Sequence, residues 1–422
     1  GNFKNIKKPT LSEINNINLD GQISANNASM VINNINIKNT NANLKITKNI
    51  VTIDTIKSNI NGNDINISGS LNNILPHIID KKNLIDLKLN IYSPLLVYDS
   101  IQNINNSTDS TYFPILPYYF NLTANIYIDK LYTNKFDLNN LNIKISSKNN
   151  VLNVENFKFF AINGAVKGKL IIEEIEKNNF LIKNDIQLNK IEIKDLFYIF
   201  NNFTLESITH KNIKGRLTAN INSEFKINKY AKIDTNSIIG NVNATIENGE
   251  LINQKNLVDL SNYLRLKDLR EIRFETLKNN IIIKNNKTII PEMLIKSDKY
   301  NINLSGEHYF DGKINYKLNL LLSDILFKKV LKTNKNNPDF PYIEEDSLNK
   351  PRLFILITGT VDNPAFKYDT ESIRKKITQS LNQDKQNIKA MLKKDFNMFK
   401  KDSTLKFEKP KKKGKVYIEW DE

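Results

Sequence analysis

Cysteine is absent from this 422-residue chain. That removes any disulfide framework, thiolate metal site or cysteine nucleophile, though it does not exclude an oxidising compartment. Histidine is scarce: His77, His210 and His308 stand far apart, with no HExxH and no carboxylate at metal-ligand spacing. GxSxG, the P-loop and GxGxxG are all missing. Acid pairs such as Glu173-Glu174 and Glu344-Glu345 are sequence neighbours that a strand would point to opposite faces, so they fit solvated charge better than shared acid–base work. The expectation is a non-enzymatic protein with no cofactor and no metal. No run reaches the ~18–20 apolar residues of a membrane span. Nor is there a signal peptide or an initiating Met; Gly1-Asn2-Phe3 reads as the interior of a longer protein, with any anchor upstream.

Acidic residues are in the minority. The net charge is +16, with 61 Lys and Arg against 45 Asp and Glu. Lysine supplies most of it, and Asn, Ile and Lys dominate throughout, as an AT-rich genome favours. The excess is densest from Ala365 to Glu422, which holds 16 basic and 9 acidic residues. No aromatic-basic RNP string and no helix-turn-helix pattern accompanies it, so nucleic acid is not the expected partner.

Glycine is also rare, and its placement is the most informative feature. A phrase of apolar, any, Gly, any, apolar recurs at Leu19–Ile23, Ile67–Leu71, Val166–Leu170, Ile213–Leu217, Ile238–Val242 and Ile357–Val361. A degraded copy, Leu304–His308, ends on His308, which reads as a strand residue. These copies use more than half of the 13 glycines. Glycine is disfavoured inside strands unless a bulge, a bend or a close backbone approach requires it. The repeat therefore predicts a long sheet of similar units, curved at regular points. Three longer copies, Asn41–Leu71, Leu141–Leu170 and Leu277–Gly306, each read as strand, turn, strand, turn and strand. Their turns, such as Thr47-Lys48-Asn49 and Lys284-Asn285-Asn286-Lys287, use asparagine, which tolerates left-handed backbone angles.

Period-2 alternation covers most of the chain. Short helices are expected after Ser93-Pro94, over Asp195–Phe203, over Asn256–Asp268 and from Ser323 to Leu331. Tyr112–Phe120 is an aromatic, proline-punctuated segment that reads as a packed loop. The clearest strand, Lys313 to Leu322, puts Ile314, Tyr316, Leu318, Leu320 and Leu322 on one face. Thr370–Lys400 reads as a basic amphipathic helix, followed by the Lys409–Lys415 cluster. The expected fold class is thus all-β and mainly antiparallel: an elongated, curved repeating sheet or groove with a few short helices and a C-terminal amphipathic helix. One-sided strands must bury their apolar face. A closed sandwich and a trough holding something apolar both satisfy that demand.

Between Ile238 and Leu326 the residues resemble the C-terminal region of AsmA-like proteins. The strings are Ile246–Leu251, Leu257–Ser261, Ile272–Leu277, and Leu304–Gly312 with Ile314–Leu318, similar to the family's G-x-H-x-F-D-G … Y-x-L stretch. Ile357–Pro364 and the Lys-rich tail look like its Bacteroidota branch. The organisation expected is a repeating β-region over 1–230, an AsmA-like core over 231–331, a connection and last strand over 332–369, and a basic helical tail over 370–422. The resemblance implies a periplasmic protein of the Gram-negative envelope, held in the inner membrane through an N-terminal helix that this chain does not include. It also implies kinship with TamB-like and YhdP-like bridge lipid transfer proteins and a role in outer-membrane assembly. The family carries no catalytic residues.

On this reading phospholipid is the partner, lying on an apolar β-groove. The lining residues expected are Leu122, Ala124, Ile126 and Ile128; Leu217, Ala219 and Ile221; and Ile314, Tyr316, Leu318, Leu320 and Leu322. The basic tail would dock on a membrane surface or on envelope assembly proteins. The competing reading is a structural or chaperone-like envelope protein with a closed, dry β-core.

Overall fold

The computed structural model of the chain describes residues 20–32, 35–48, 50–79, 83–98, 120–204, 208–264, 267–297, 301–321, 344–345 and 351–369. The chain divides into compact units Gly1–Tyr368 and Asp369–Glu422, and every element named below belongs to the first. Strands β1 (Asp20–Ile32), β2 (Ile35–Thr47), β3 (Ile50–Ile60) and β4 (Asn63–Asn72) precede the short helix α1 (Ile74–Ile79) and β5 (Ile85–Val97). Next come β6 (Phe120–Tyr132), β7 (Asp137–Lys148), β8 (Val151–Ala161), β9 (Gly164–Glu176) and β10 (Asn179–Glu192). Helix α2 (Ile193–Ile199) and a tight turn, Asn201–Thr204, follow. β11 (Ile213–Asn228) and β12 (Ile233–Ile252) lead into α3 (Lys255–Leu264) and the turn Lys267–Arg270. The rest is β13 (Glu271–Lys284), β14 (Lys287–Lys296), β15 (Asn301–Tyr309), β16 (Lys313–Leu321), the two-residue β17 (Glu344–Glu345), β18 (Pro351–Thr360) and β19 (Pro364–Tyr368).

All nineteen strands form one sheet. From β1 to β16 each strand pairs with its neighbours in sequence; β16 then pairs with β18, and β18 with both β17 and β19. Among the described residues β5–β6 is the one parallel pairing and all others are antiparallel. β1 and β19 are the two edges, and they do not meet. The sheet is therefore all-β, mostly antiparallel and not closed on itself. The expected boundary at residue 230 falls in the β11–β12 hairpin, whose ladder carries a register shift between Glu224 and Lys226. The expected helices over 323–331 and 370–400, Leu322, and the aromatic run before Phe120 lie outside the described residues.

Asparagine is what lets so many hairpins and bulges follow one another. Among the described residues twenty non-glycine residues have positive φ, and fifteen of them are Asn. The turns that close β7–β8 and β13–β14 each place two consecutive Asn there, Asn149-Asn150 and Asn285-Asn286, as the two-residue hairpin requires. Others sit where the register slips. Asn27 lies in the β1–β2 bulge, Asn39 in β2–β3 and Asn140 in β7–β8. Asparagine adopts left-handed backbone angles more readily than any other residue but glycine, so it can stand as the extra residue of these bulges.

The repeated glycines all fall inside strands, as expected. Three of the sheet's glycines face an aromatic ring on the adjacent strand. Gly168 is paired with Phe157, Gly249 with Phe274 and Gly306 with Tyr316. A Cβ on Gly249 would stand 2.1 Å from the Phe274 ring, and one on Gly168 would stand 2.8 Å from Phe157 Cζ. The ring lies over the bare backbone, an arrangement that restores the packing a strand glycine gives up. At Gly69 the reason is different: φ is +149° and a Cβ would fall 2.0 Å from the Lys88 carbonyl oxygen.

Two expected helices are present, as α2 and α3. The one expected after Ser93-Pro94 is not, because both residues lie within β5. The Ser93 hydroxyl donates to backbone carbonyls instead, with Asp64 O at 2.8 Å and Leu95 O at 2.9 Å. Pro94 follows the last residue of β5 that pairs with β4, so its missing N–H breaks no ladder bond. Pairing along β6 outweighed a local N-cap signal.

Burial is uneven along the sheet. Before residue 151, among the described residues, the buried hydrophobic side chains are Ile53, Ala124, Ile128, Leu138 and Leu141. Every large cluster lies later. One gathers Val166, Leu188, Ile191, Leu217 and Ala219 beneath Ile193 of α2. A second surrounds Phe180, Ile182 and Ile227. The largest packs Leu260, Leu264 and Leu269 onto Ile272, Ile302, Leu318, Leu320, Leu353 and Ile355.

The aromatic-over-glycine contact yields a prediction. Gly249→Ala is expected to cost about 1–3 kcal/mol through overpacking against the buried Phe274 ring. Combining it with Phe274→Leu should recover part of that loss. Urea unfolding of the two single variants and the double variant measures the coupling; purely additive losses would contradict the contact.

Candidate functional site

The bulges keep one set of side chains in line. In register, Ala25 lies opposite Ala42, Ala42 opposite Ile56, Ile56 opposite Ile67, Ile67 opposite Ile91, and Ile91 opposite Ile126. The row continues through Ile143, Phe157, Gly168, Ile186, Ile221, Val242 and Ile281. Thirteen strands thus contribute thirteen apolar positions, and every one is half-buried. At ~4.8 Å between strands, the row runs about 58 Å along the sheet.

Flanking rows change character along their length. Next to it, Leu44, Ile53, Gly69, Leu89, Ala124, Ile145, Val154 and Leu170 are in register. The same line then turns polar, through Asn184, Ser223, Gly240, Ile283, Thr288 and His308. Asn184 Nδ2 donates to Ser223 Oγ at 2.7 Å. Beyond it, Leu87, Leu122, Ser147, Leu152, Ile172 and Ile182 form a further row.

The structure sorts the sequence-derived lining residues into two sets. Leu122, Ala124, Ile126 and Ile128 lie on adjacent rows of the β6 inner face. Ile126 and Ile221 share the thirteen-strand row, five strands apart. Leu217 and Ala219 are buried in the cluster under α2. Ile314, Leu318 and Leu320 are buried with α3, Leu320 completely, and Tyr316 packs against them. The β16 residues therefore belong to a covered core, whereas Leu122, Ile126 and Ile221 are half-buried on the long face and Ala124 and Ile128 are buried beside Ile126. Alternation did not single out Ile56, Ile67, Ile91, Ile143, Phe157, Ile186, Val242 or Ile281. Their alternation is visible, but bulges decide which strands bring them into line.

The opposite face is polar and charged. Lys214, Glu250 and Arg273 are direct cross-strand partners, with Lys214 Nζ 2.7 Å and Arg273 Nε 2.8 Å from the Glu250 carboxylate. The Lys214 ammonium, helped by Arg273, holds the Glu250 carboxyl below the usual range, so it stays ionised. Asn90 and Asn125 continue the polar surface, with Asn125 Nδ2 donating to Asn90 Oδ1 at 2.9 Å. Such a sheet is amphipathic, predominantly apolar on one face and predominantly polar on the other.

The three histidines serve separate local structures. His77 Nδ1 lies 2.7 Å from the Asn83 carbonyl, and His210 Nδ1 lies 3.1 Å from Asn202 Oδ1. His308 faces the inner side, its Nδ1 3.0 Å from the Tyr316 hydroxyl. Burial lowers the His308 pKa and raises that of Tyr316 to about 12. Among the described residues no group of three His, Cys, Asp or Glu side chains is placed to hold a metal ion.

A histidine whose folded pKa is depressed binds its proton more readily in the unfolded chain. Stability is then present above the ordinary pKa of 6.5 and is lost as pH falls below it. His308→Phe removes that titration. The melting temperature of the native chain is expected to drop between about pH 7 and pH 5 more steeply than that of the variant. Parallel slopes in thermal melts would contradict this.

No protein family model matches this chain, and no curated protein or solved structure was found that matches it.

Proposed function

We propose that this chain holds or conducts phospholipid, with acyl chains lying along the half-buried face and headgroups at its wet rim. The observation that carries the reading is the thirteen-strand row, apolar at every position and fully covered at none. Each methylene removed from water is worth about 0.8 kcal/mol, so a diacyl lipid needs no specific polar contact to be retained. A row of about 58 Å exceeds the ~15 Å depth of one bilayer leaflet's hydrocarbon, leaving room for lipids in file. Transfer would be passive, since the row offers equivalent apolar contacts from strand to strand.

The AsmA-like resemblance supports the same reading: a periplasmic, inner-membrane-anchored protein assisting outer-membrane assembly. No helix among the described residues is long and apolar enough to cross a membrane. The competing picture of a closed, dry core is favoured by the clusters under α2 and α3, where Ile191, Leu320 and Ile355 are wholly buried. On this reading the two pictures describe different parts of one sheet, a lipid-bearing face from β1 to β8 and the stretches sealed by α2 and α3.

These roles separate by mutation. Ile67→Asn with Ile126→Asn is expected to keep the fold, because both side chains are half-buried, and to strip co-purifying phospholipid. Leu320→Ala should instead cost about 2–5 kcal/mol of stability by leaving a cavity. Native mass spectrometry reads the lipid and urea unfolding reads the stability. A folded asparagine double variant carrying as much phospholipid as the parent would defeat the proposal.

A further inference from the structure

Helix α2 and the turn after it present aromatic rings to solvent. Tyr198 is 58% exposed, Phe200 55%, Phe203 45% and the neighbouring Phe160 43%. The helix spends its other side on Ile193 and Ile199, both buried on β10 and β11. The rings form an ordered group. Phe200 stacks on Phe203 at 5.3 Å, and Phe203 meets Phe197 edge-on at 5.2 Å.

The turn holds this group at a conformational cost. Asn201, Asn202 and Phe203 follow one another with φ of +48°, +55° and +53°. Asparagine tolerates that region, but a bulky Phe there is an outlier. The Asn202 side-chain oxygen accepts from the His210 backbone N–H at 2.8 Å, and the Phe203 N–H donates to the Phe200 carbonyl at 2.9 Å. These bonds fix a backbone that keeps the Phe200 and Phe203 rings in solvent.

Cations stand beside the rings. A depression of about 860 Å³ is lined by Tyr198, Phe160, Lys135, Lys190 and Arg216, with Asp137 and Asp195 as its two acids. Lys135 Nζ reaches the Ile199 carbonyl at 3.4 Å, which ties the β6–β7 turn to the end of α2. Lys194 on α2 and Lys211 on the following loop add exposed positive charge. Exposed apolar patches mark partner or membrane contacts. Aromatic rings flanked by Lys and Arg are the composition that settles at a headgroup boundary, rings in the acyl margin and cations among the phosphates.

We propose that the α2 turn, through Tyr198, Phe200 and Phe203 with Lys135, Lys190 and Arg216, docks this chain on the surface of an anionic phospholipid bilayer. This contact does not depend on the inner face holding lipid.

The test uses the full chain carrying Tyr198→Trp and Trp420→Phe, so that a single indole reports from α2. It is mixed with vesicles of phosphatidylcholine alone or with phosphatidylglycerol added. The indole emission is expected to shift to the blue on the anionic vesicles and to revert partly at high salt. Adding Phe200→Ser and Phe203→Asn should weaken vesicle binding at least about tenfold. The melting temperature should hold, since both rings are exposed and Asn suits the φ of position 203. Emission that stays that of a solvated indole would overturn the proposal, whether the chain sediments with vesicles through another surface or does not bind. An unchanged affinity in the ring variant would overturn it too. Co-purified phospholipid, measured separately, reports on the inner face alone.

Discussion

Cross-strand registration is the constraint on which everything else rests. A strand presents alternate side chains to opposite faces, so a slip of one residue would exchange the apolar and the charged face. Thirteen successive strands keep the apolar set aligned, from Ala25 to Ile281, despite many shifts in pairing. At Asn27, Asn39 and Asn140 the extra residue adopts left-handed geometry and drops out of the ladder, whereas the shifts at Ile53–Ile56 and Val154–Phe157 are made without a left-handed residue. Part of the asparagine that looks like compositional drift serves the left-handed bulges and the hairpin turns. Register on the charged face is reinforced by pairs such as Lys214–Glu250–Arg273, whose opposite signs sit directly across from one another.

Coverage is the second theme. A sheet with one apolar face must place something against it, and the described helices are too few to cover nineteen strands. α2 seals the stretch around Leu188, Leu217 and Ala219, and α3 seals the end around Leu320 and Ile355. From β1 to β7 the same face has five buried apolar residues and many half-buried ones. The free energy left uncollected on that face is what the proposed phospholipid ligand would collect. The polar stretch Asn184–Ser223 sits where the open part gives way to the sealed part.

Much of the fold was legible in the sequence because alternation and glycine punctuation are local signals. The strand at Lys313–Leu321, the turns at Asn149-Asn150 and Asn285-Asn286, and the helices over Asp195 and Leu257 all lie where the pattern put them. Ser93-Pro94 misled for an equally local reason, as a cap signal is read over four residues whereas β5 is held by twelve pairings to β6. The site was legible in part. Ile126 and Ile221 were recognisable as inward-facing, yet Leu318 and Leu320 gave the same alternating signal and are sealed beneath α3.

The amino-acid sequence by itself determined the all-β class, the two-faced strands, the places where the chain turns and the lack of thiol chemistry. Those follow from residue-by-residue preference and from period, which need no knowledge of distant neighbours. Only the tertiary structure decided which residues stand in one row and which part of the row is covered. Row membership is the sum of every pairing and bulge between two strands, and burial depends on helices inserted far away in the chain. It also decided that Phe157, Phe274 and Tyr316 lie over glycines of adjacent strands, a contact that sequence spacing does not encode.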